Sequence, residues 1–195
     1  MKFFIPFDVS ADINYIYLFC LLDLAEYNRT TKRHDRIEYS SIQELTDRIK
    51  KNYNIKISNA TVSRFLREME AENNSCYLSI DRSQKTIKIN NNFRNKKGVS
   101  FVVIDSRTLH FLIQQQENLL CKYYLYLCYY CDISKGNNTD TTAKQFLSAA
   151  GYATSSGNYI SKLSYYNSLL VANSFITIQK HKDQQGHERN TYRIL

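Results

Sequence analysis

The segment Ser58 to Glu72, with the sequence SNATVSRFLREMEAE, is the most informative part of this chain. Apolar residues recur along it at the spacing of one face of an α-helix, namely Val62, Phe65, Leu66 and Met69. Ser58 is the predicted N-cap, because a serine hydroxyl can accept a hydrogen bond from a free amide of the first helical turn. The stretch therefore predicts a helix with one buried face and one polar, basic face.

The elements around this helix predict a compact unit. A shorter helix, Ser41 to Asn52, precedes it, and the strand Ile37 to Tyr39 comes before that. Two strands follow, Tyr77 to Asp81 and Lys85 to Asn90, joined by a tight turn. Two helices followed directly by a hairpin are typical of a winged helix-turn-helix, in which the last helix enters the major groove of DNA and the hairpin is called the wing.

The same order of elements occurs a second time along the chain. Short apolar strands, Phe3 to Phe7 and Phe101 to Ile104, each lead to an Asp, a Ser and a long apolar helix, with Ser10 and Ser106 as the predicted N-caps. The separation between these two serines is 96 residues, and equivalent positions in the later helices are 98 residues apart. This nearly constant offset predicts two tandem units.

Two helices and two strands complete the second copy. Helix Thr141 to Ala150 ends at Gly151, a favourable residue just after a helix C-terminus. The strands are Phe175 to Lys180 and Glu188 to Ile194. The second helix, Ser156 to Asn173, comes before these strands, and its apolar face consists of Tyr159, Leu163, Tyr166 and Leu170.

These elements predict an α+β, mainly helical fold of two tandem winged helix-turn-helix units. The expected domains are residues 1–90 and 100–195, with a polar, basic linker at 91–99. Residues 1–97 carry 17 basic and 12 acidic side chains, a net charge of +5, and residues 98–195 carry 9 and 6, a net of +3. Both halves are therefore basic, which favours a polyanionic partner, either nucleic acid or an anionic membrane surface. The alternative is a basic surface that binds no partner.

A helix face that enters a DNA groove needs short polar side chains together with Arg or Lys. Arg binds guanine O6 and N7, Asn binds adenine, and Ser or Thr binds bases or phosphates. Both later helices carry such residues away from their apolar faces, and the hairpins add cations that can contact phosphates. The alternative is that these are ordinary solvated side chains. The predicted DNA-binding residues are Asn59, Thr61, Ser63, Arg64, Arg67, Arg82 and Lys85 in the first unit, and Ser155, Ser156, Asn158, Ser161, Lys162, Tyr165, Lys180, Lys182, His187 and Arg189 in the second.

The sequence does not indicate other chemistries. The pair Cys128 and Cys131 has no second pair or histidine at zinc-ligand spacing, and the five cysteines suit reduced thiols in the cytoplasm. No phosphate-binding glycine loop, nucleophile elbow or paired carboxylates with a nearby histidine is present. We therefore expect no metal, no cofactor and no enzymatic activity.

Two apolar stretches, 13–24 and 119–131, are too short or too polar for a membrane span, so we expect core helices and no membrane partner. Several tyrosines of the second stretch recur at helical spacing and are predicted to belong to the core or an interface. The alternative for these tyrosines is stacking on single-stranded bases. They are Tyr123, Tyr124, Tyr126, Tyr129 and Tyr130.

Three segments resemble the tandem winged-helix replication initiators of plasmids and phages of low-GC Gram-positive bacteria. They are Tyr123 to Leu127 in the long helix, Gly157 to Leu163 in the later helix, and Phe175 to Ile178 in the strand after it. The resemblance implies a protein that binds repeated origin sequences in double-stranded DNA, often as a homodimer, and recruits host replication proteins. It also implies DNA contacts at Asn59, Ser63, Arg64 and Arg67 in the first unit, and at Ser156, Asn158, Lys162 and residues 180–189 in the second.

Two other functions fit the same sequence features. A winged-helix regulator of transcription or copy number would bind duplex DNA at a promoter rather than at an origin. A tandem winged-helix scaffold that binds protein would show no duplex affinity above a nonspecific background. The positive charge of both halves favours the DNA-binding functions.

Overall fold

A computed structural model of the chain describes residues 1–28, 33–71, 77–90, 100–133, 138–186 and 188–195. Within these ranges it contains seven α-helices and nine β-strands. They form two compact units: unit 1 comprises residues 1–6 and 13–118, and unit 2 comprises residues 7–12 and 119–195. The expected combination of helices with small antiparallel sheets is therefore present, whereas the predicted linker at 91–99 lies outside the described residues.

The elements follow one another in a mixed order of strands and helices. Those assigned to unit 1 are β1 (Lys2–Pro6), α1 (Tyr15–Leu24), β2 (Glu26–Asn28), β3 (Arg33–Glu38), α2 (Ile42–Tyr53), α3 (Asn59–Glu70), β4 (Leu78–Asp81), β5 (Thr86–Ile89), β6 (Phe101–Asp105) and α4 (Ser106–Gln115). Those of unit 2 are α5 (Asn118–Ile133), β7 (Asn138–Thr141), α6 (Ala143–Ala149), α7 (Gly157–Ala172), β8 (Ile176–Lys182) and β9 (Glu188–Ile194).

The main sheet of unit 1 has four antiparallel strands in the order β2-β3-β5-β4. Ile87 of β5 lies opposite Ile37 of β3 on one side and Ile80 of β4 on the other. Helices α2 and α3 add the buried Leu45 and Leu66. The hairpin β4–β5 is thus part of the core that supports α3, and its position relative to that helix is set by packing.

Strands β1 and β6, which the sequence repeat places at the starts of separate domains, pair with each other in unit 1. Phe4 lies opposite Val103 in this antiparallel pair, and its ring centroid is 6.1 Å from that of Phe101. Helix α4 also packs against α1. Residues 101–118 therefore belong to the first compact unit, and the units do not coincide with the predicted domains 1–90 and 100–195.

The long helix predicted after Ser106 is interrupted. Helix α4 ends at the C-cap Gln116, which has a left-handed φ of 53°, and α5 begins at Asn118. The Asn118 side chain accepts a hydrogen bond from the Tyr15 amide at 2.8 Å and donates one to the Ile13 carbonyl at 3.0 Å. The break therefore places a carboxamide at the start of α1.

The predicted N-caps Ser10 and Ser106 are wrong. Helix α1 is capped by Asn14. Ser10 instead donates both its amide and its hydroxyl to the Asp8 carboxylate, at 2.9 and 2.7 Å. Helix α4 is capped by Asp105, whose carboxylate accepts the Thr108 amide at 2.8 Å, so Ser106 is the first helical residue. For α4 the Asp105 carboxylate is a stronger hydrogen-bond acceptor than the Ser106 hydroxyl, whereas α1 begins only at Tyr15, too far along the chain for Ser10 to cap it.

Other local predictions are confirmed. Ser58 caps α3 by accepting the Thr61 amide at 3.1 Å. Gly151, just after α6, has a φ of 74°, a left-handed conformation that glycine adopts without a steric penalty.

Unit 2 has a three-stranded antiparallel sheet in the order β7-β9-β8 and a core rich in aromatic residues. The Tyr123 and Phe146 rings lie 5.0 Å apart. The Tyr123 hydroxyl donates to Asn167 Oδ1 at 2.9 Å, and Asn167 Nδ2 donates to the Tyr192 hydroxyl at 3.3 Å. The buried phenols are therefore hydrogen-bonded, as buried polar groups need to be. Burial confirms the core prediction for Tyr123, Tyr124 and Tyr126, while Tyr129 and Tyr130 are half-buried.

Candidate nucleic-acid interface

Helix α3 packs its apolar face into the core of unit 1 and presents a polar face on the other side. The predicted apolar residues Val62, Phe65, Leu66 and Met69 are all buried. On the rest of the helix, Asn59, Arg64 and Arg67 are exposed, and Thr61 and Ser63 are half-buried. The five predicted residues of α3 therefore lie outside its apolar face, and its two arginines are accessible.

The start of α3 is tied to α2 by side-chain amides. Asn59 Nδ2 donates to Gln43 Oε1, and Gln43 Nε2 donates to Asp47 Oδ2 at 2.8 Å. Gln43 thus orients Asn59, a role that sequence reasoning missed. No local signal reveals it, because Gln43 and Asn59 meet only when the two helices pack.

The two arginines of α3 carry its positive charge. Arg64 Nε lies 3.7 Å from Glu68 Oε1, and the Arg64 side chain is 68% exposed. Such an exposed pair contributes little to stability and competes weakly with an external anion. Arg64 therefore remains available for a phosphate or a base edge.

The hairpin cations of unit 1 have internal partners. Arg82 donates from Nε and Nη2 to the two carboxylate oxygens of Glu70, both at 2.7 Å, and joins the β4–β5 turn to the end of α3. Lys85 Nζ donates to the Ser40 carbonyl at 2.7 Å, and its φ is 51°. The structure thus places Arg82 and Lys85, both predicted DNA contacts, in contacts that hold the hairpin.

Helix α7 presents a different surface from that of α3. Leu163, Tyr166 and Leu170 of the predicted apolar face are buried, and Tyr159 is half-buried with its ring 5.0 Å from that of Tyr152. Ser156 is the N-cap residue, but its side chain makes no capping hydrogen bond. The other predicted residues of this region are exposed: Ser155, Asn158, Ser161, Lys162 and Tyr165.

The predicted residues of the β8–β9 hairpin are divided between its two faces. Side chains alternate along a strand, so Lys180 and Lys182 lie on the same face as the buried Ile176. Arg189 pairs with His181 across the ladder and lies on the opposite face, where its Nε donates to Asp183 Oδ2 at 3.0 Å. His187 lies outside the described residues.

Three strands of unit 2 share a polar network that sequence reasoning missed. The Thr191 hydroxyl donates to Asp140 Oδ1 and lies 3.3 Å from His181 Nδ1. His181 Nε2 is 3.7 Å from Asp140 Oδ2. The network depends on the cross-strand register, which is set by pairing and not by any single strand.

The thiols of α5 are enclosed by the core of unit 2. Cys128 and Cys131 are both buried, and burial raises the pKa of Cys131 to about 11. Across the part of the chain that the structure describes, no group of three or more His, Cys, Asp or Glu side chains is placed to hold a metal ion. Over the same residues, no helix has the length and apolar character needed to cross a membrane.

Comparison of the chain with models of known protein families, with curated proteins and with solved structures found no match.

Proposed function

We propose that this protein binds double-stranded DNA sequence-specifically through two winged-helix units and recognises a plasmid or phage origin in replication initiation. One observation carries the proposal. In each unit a helix pair is followed directly by an antiparallel hairpin, and the second helix of the pair exposes hydrogen-bonding side chains away from a largely buried apolar face.

In unit 1, α3 is the proposed recognition helix and the β4–β5 hairpin the wing. Asn59, Arg64 and Arg67 supply the groups that read adenine and guanine in the major groove. Arg82 and Lys85 act indirectly, since their internal contacts hold the wing beside α3.

In unit 2, α7 is the proposed recognition helix and β8–β9 the wing. The exposed Asn158 and Ser161 supply hydrogen-bonding groups, while Lys162, Lys180 and Lys182 supply positive charge. The net charge of +8 favours a polyanion and steers it to the surface. Binding to phosphates releases counterions, so affinity falls steeply with salt.

The replication role rests on the resemblance to plasmid and phage initiators. We also propose that the protein is cytoplasmic and has no catalytic activity. A regulator of transcription or copy number is the alternative with the same fold, and the genomic position of the target sites separates the two functions.

The first experiment is selection of bound duplexes from a random DNA pool at two salt concentrations. We expect one enriched motif, repeated or palindromic, and an affinity that falls with salt. Weak binding without any enriched motif would contradict sequence-specific recognition.

A charge-matched pair of variants tests the assignment of α3. Arg64→Ala with Arg67→Ala should weaken binding to the selected motif by about tenfold or more and reduce the salt slope by about 2. Lys2→Ala with Arg107→Ala removes the same charge from β1 and α4 and should change affinity much less. Equal losses in the two variants would show that α3 has no special role.

A specific observation favours a second candidate function for unit 2, the binding of a protein. The exposed surface of α7 includes Ile160, Tyr165 and Val171, and Tyr165 is 60% exposed. Such side chains are typical of docking surfaces for a second copy of the chain or for another protein. If Tyr165→Ser leaves duplex affinity unchanged but abolishes self-association measured by analytical ultracentrifugation, α7 binds protein.

A further inference from the structure

Unit 1 contains a cavity of about 500 Å³ at which the C-terminal ends of three helices meet. Helix α1 contributes Asp23, its next-to-last residue. Helix α2 contributes its last two residues and its C-cap, residues 52–54. Helix α4 contributes Gln114 and its C-cap Gln116. None of these residues belongs to the proposed DNA interface.

The helix ends make the cavity electronegative. The C-terminus of an α-helix carries a partial charge of roughly −0.5, because its last carbonyl groups have no partner within the helix. The C-cap amides of Asn54 and Gln116 each donate to one such carbonyl, of Lys50 and Ile113 respectively. The other terminal carbonyls, which have no partner within their helix, add negative potential to that of the Asp23 carboxylate.

Asp23 is held in a defined orientation by two donors. Its Oδ2 accepts a hydrogen bond from the Tyr53 hydroxyl at 2.8 Å and lies 2.9 Å from His110 Nε2. Burial and the hydrogen bond to Asp23 raise the pKa of Tyr53, so the phenol remains a donor. Both contacts involve Oδ2, so Oδ1 is the oxygen that can receive a ligand.

The rest of the lining is suited to a ligand with several polar hydrogens. Four carboxamides line the cavity, and each offers an acceptor oxygen beside its donor nitrogen. They belong to Asn52, Asn54, Gln114 and Gln116. Among the described lining residues there is neither Lys nor Arg, and His110, the basic residue that contacts Asp23, is charged only when it is protonated.

We propose that this cavity binds a small organic cation with amine or guanidine N–H groups, which pairs with the Asp23 carboxylate and donates hydrogen bonds to the carboxamides. An anion is disfavoured, since the helix ends and Asp23 would repel it. The cavity has more than enough room for a short diamine or an aminoalkyl guanidine. The proposal does not depend on DNA binding, and it is tested without DNA.

The test is titration of the full chain with putrescine and with agmatine, followed by calorimetry and by ¹H–¹⁵N spectra of the side-chain amides. We expect saturable binding below about 10 mM for at least one probe. We also expect shifts in the NH₂ signals of Asn52, Asn54, Gln114 and Gln116. The uncharged analogue 1,4-butanediol should not bind. No saturable binding by either cation would overturn the proposal, as would equal binding by the diol.

Two variants locate the bound cation. Asp23→Asn removes the charge with little change in size and should weaken binding by about tenfold or more. Asp47→Asn removes an equal charge from an exposed site on α2, outside the cavity, and should leave affinity unchanged. Gln114→Leu leaves Asp23 intact and should also weaken binding, which keeps the test decisive if Asp23→Asn fails to fold. Equal weakening by Asp23→Asn and Asp47→Asn would show that the cation associates nonspecifically with acidic surface.

Discussion

Arg82 donates two parallel hydrogen bonds to Glu70, each 2.7 Å long, and thereby joins the β4–β5 turn to the last turn of α3. This two-bond geometry is the strongest form of an arginine–carboxylate pair. The two side chains remain 46% and 33% exposed, which limits the free energy they contribute. The pair therefore orients the hairpin more than it stabilises the unit.

A double-mutant cycle on Arg82→Ala and Glu70→Ala should give a coupling free energy of about 0.5–1 kcal/mol, measured by urea unfolding. The matched control is the Arg64–Glu68 pair on the same helix, whose atoms are 3.7 Å apart. Its coupling should be about 0.3 kcal/mol or less. Equal couplings for the two pairs would contradict a special role of the bidentate geometry.

The same pair predicts a dependence on pH. The hydrogen bonds from Arg82 lower the pKa of Glu70. A carboxyl with a lowered pKa contributes stability above its unfolded-state pKa and loses it as the pH falls through the folded-state value. The coupling should therefore be full at pH 7 and shrink below about pH 4. A coupling that is unchanged at pH 3 would show that the charge of Glu70 is not involved.

Phe65 should be the most sensitive position of α3. It is buried, and its ring lies 5.6 Å from that of Tyr17 in an edge-to-face arrangement. Phe65→Ala should lower the free energy of unfolding by about 3–5 kcal/mol because it leaves a cavity. The milder Phe65→Leu keeps the test readable if the alanine variant does not fold. Arg67→Ala, on the exposed face of α3, should change the free energy of unfolding by less than about 0.5 kcal/mol. A loss as large as that of Phe65→Ala would show that the buried and exposed faces of α3 are assigned wrongly.

Asp105 tests the cap of α4. Its carboxylate accepts the Thr108 amide, and this bond is the main cause of its lowered pKa. Asp105→Ala should cost about 1 kcal/mol at pH 7, whereas Asp105→Asn retains an acceptor and should cost less. The lowered pKa means that the advantage over Ala is present above about pH 4 and declines at lower pH. Thermal unfolding of the unchanged chain and of the Ala and Asn variants between pH 3 and 7 measures this difference in stability. Equal stability of the two variants would contradict the role of residue 105 as the cap.

Because the Cys131 thiol is buried, we expect the folded protein to lose stability at alkaline pH. Burial raises its pKa to about 11, so the unfolded chain ionises this thiol at a lower pH than the folded chain does. A raised pKa leaves stability intact below the unfolded-state value, about 8.5, and reduces it as the pH rises from there towards 11. The melting temperature should therefore fall less between pH 8 and 10 in Cys131→Ala than in the unchanged chain. An identical fall in both would show that this thiol does not ionise on unfolding.

Features that depend on neighbouring residues were predictable from the sequence. The spacing of Val62, Phe65 and Met69 predicts the buried face of α3, since helix geometry alone places them together. Ser58 and Gly151 mark helix ends through hydrogen bonding and φ preference within a few residues. The N-cap prediction at Ser106 was wrong because the preceding Asp105 carboxylate is the stronger acceptor, and that at Ser10 was wrong because α1 begins only after Asn14.

Features that join distant residues were not predictable in this way. Nothing near Arg82 or Gln43 in the chain indicates that they meet Glu70 and Asn59. The cavity beside Asp23 likewise depends on three helix ends that are far apart in sequence. These contacts exist only after the helices and strands pack.

Local spacing and composition are enough to predict where most helices and strands form, which of their faces are apolar and that both halves are basic. The pairing of β1 with β6, and the contacts by which Arg82 and Lys85 hold the hairpin, are evident only in the packed fold. Strand register and side-chain pairing between elements are set by the packing of the whole unit, and no short segment of sequence encodes that packing.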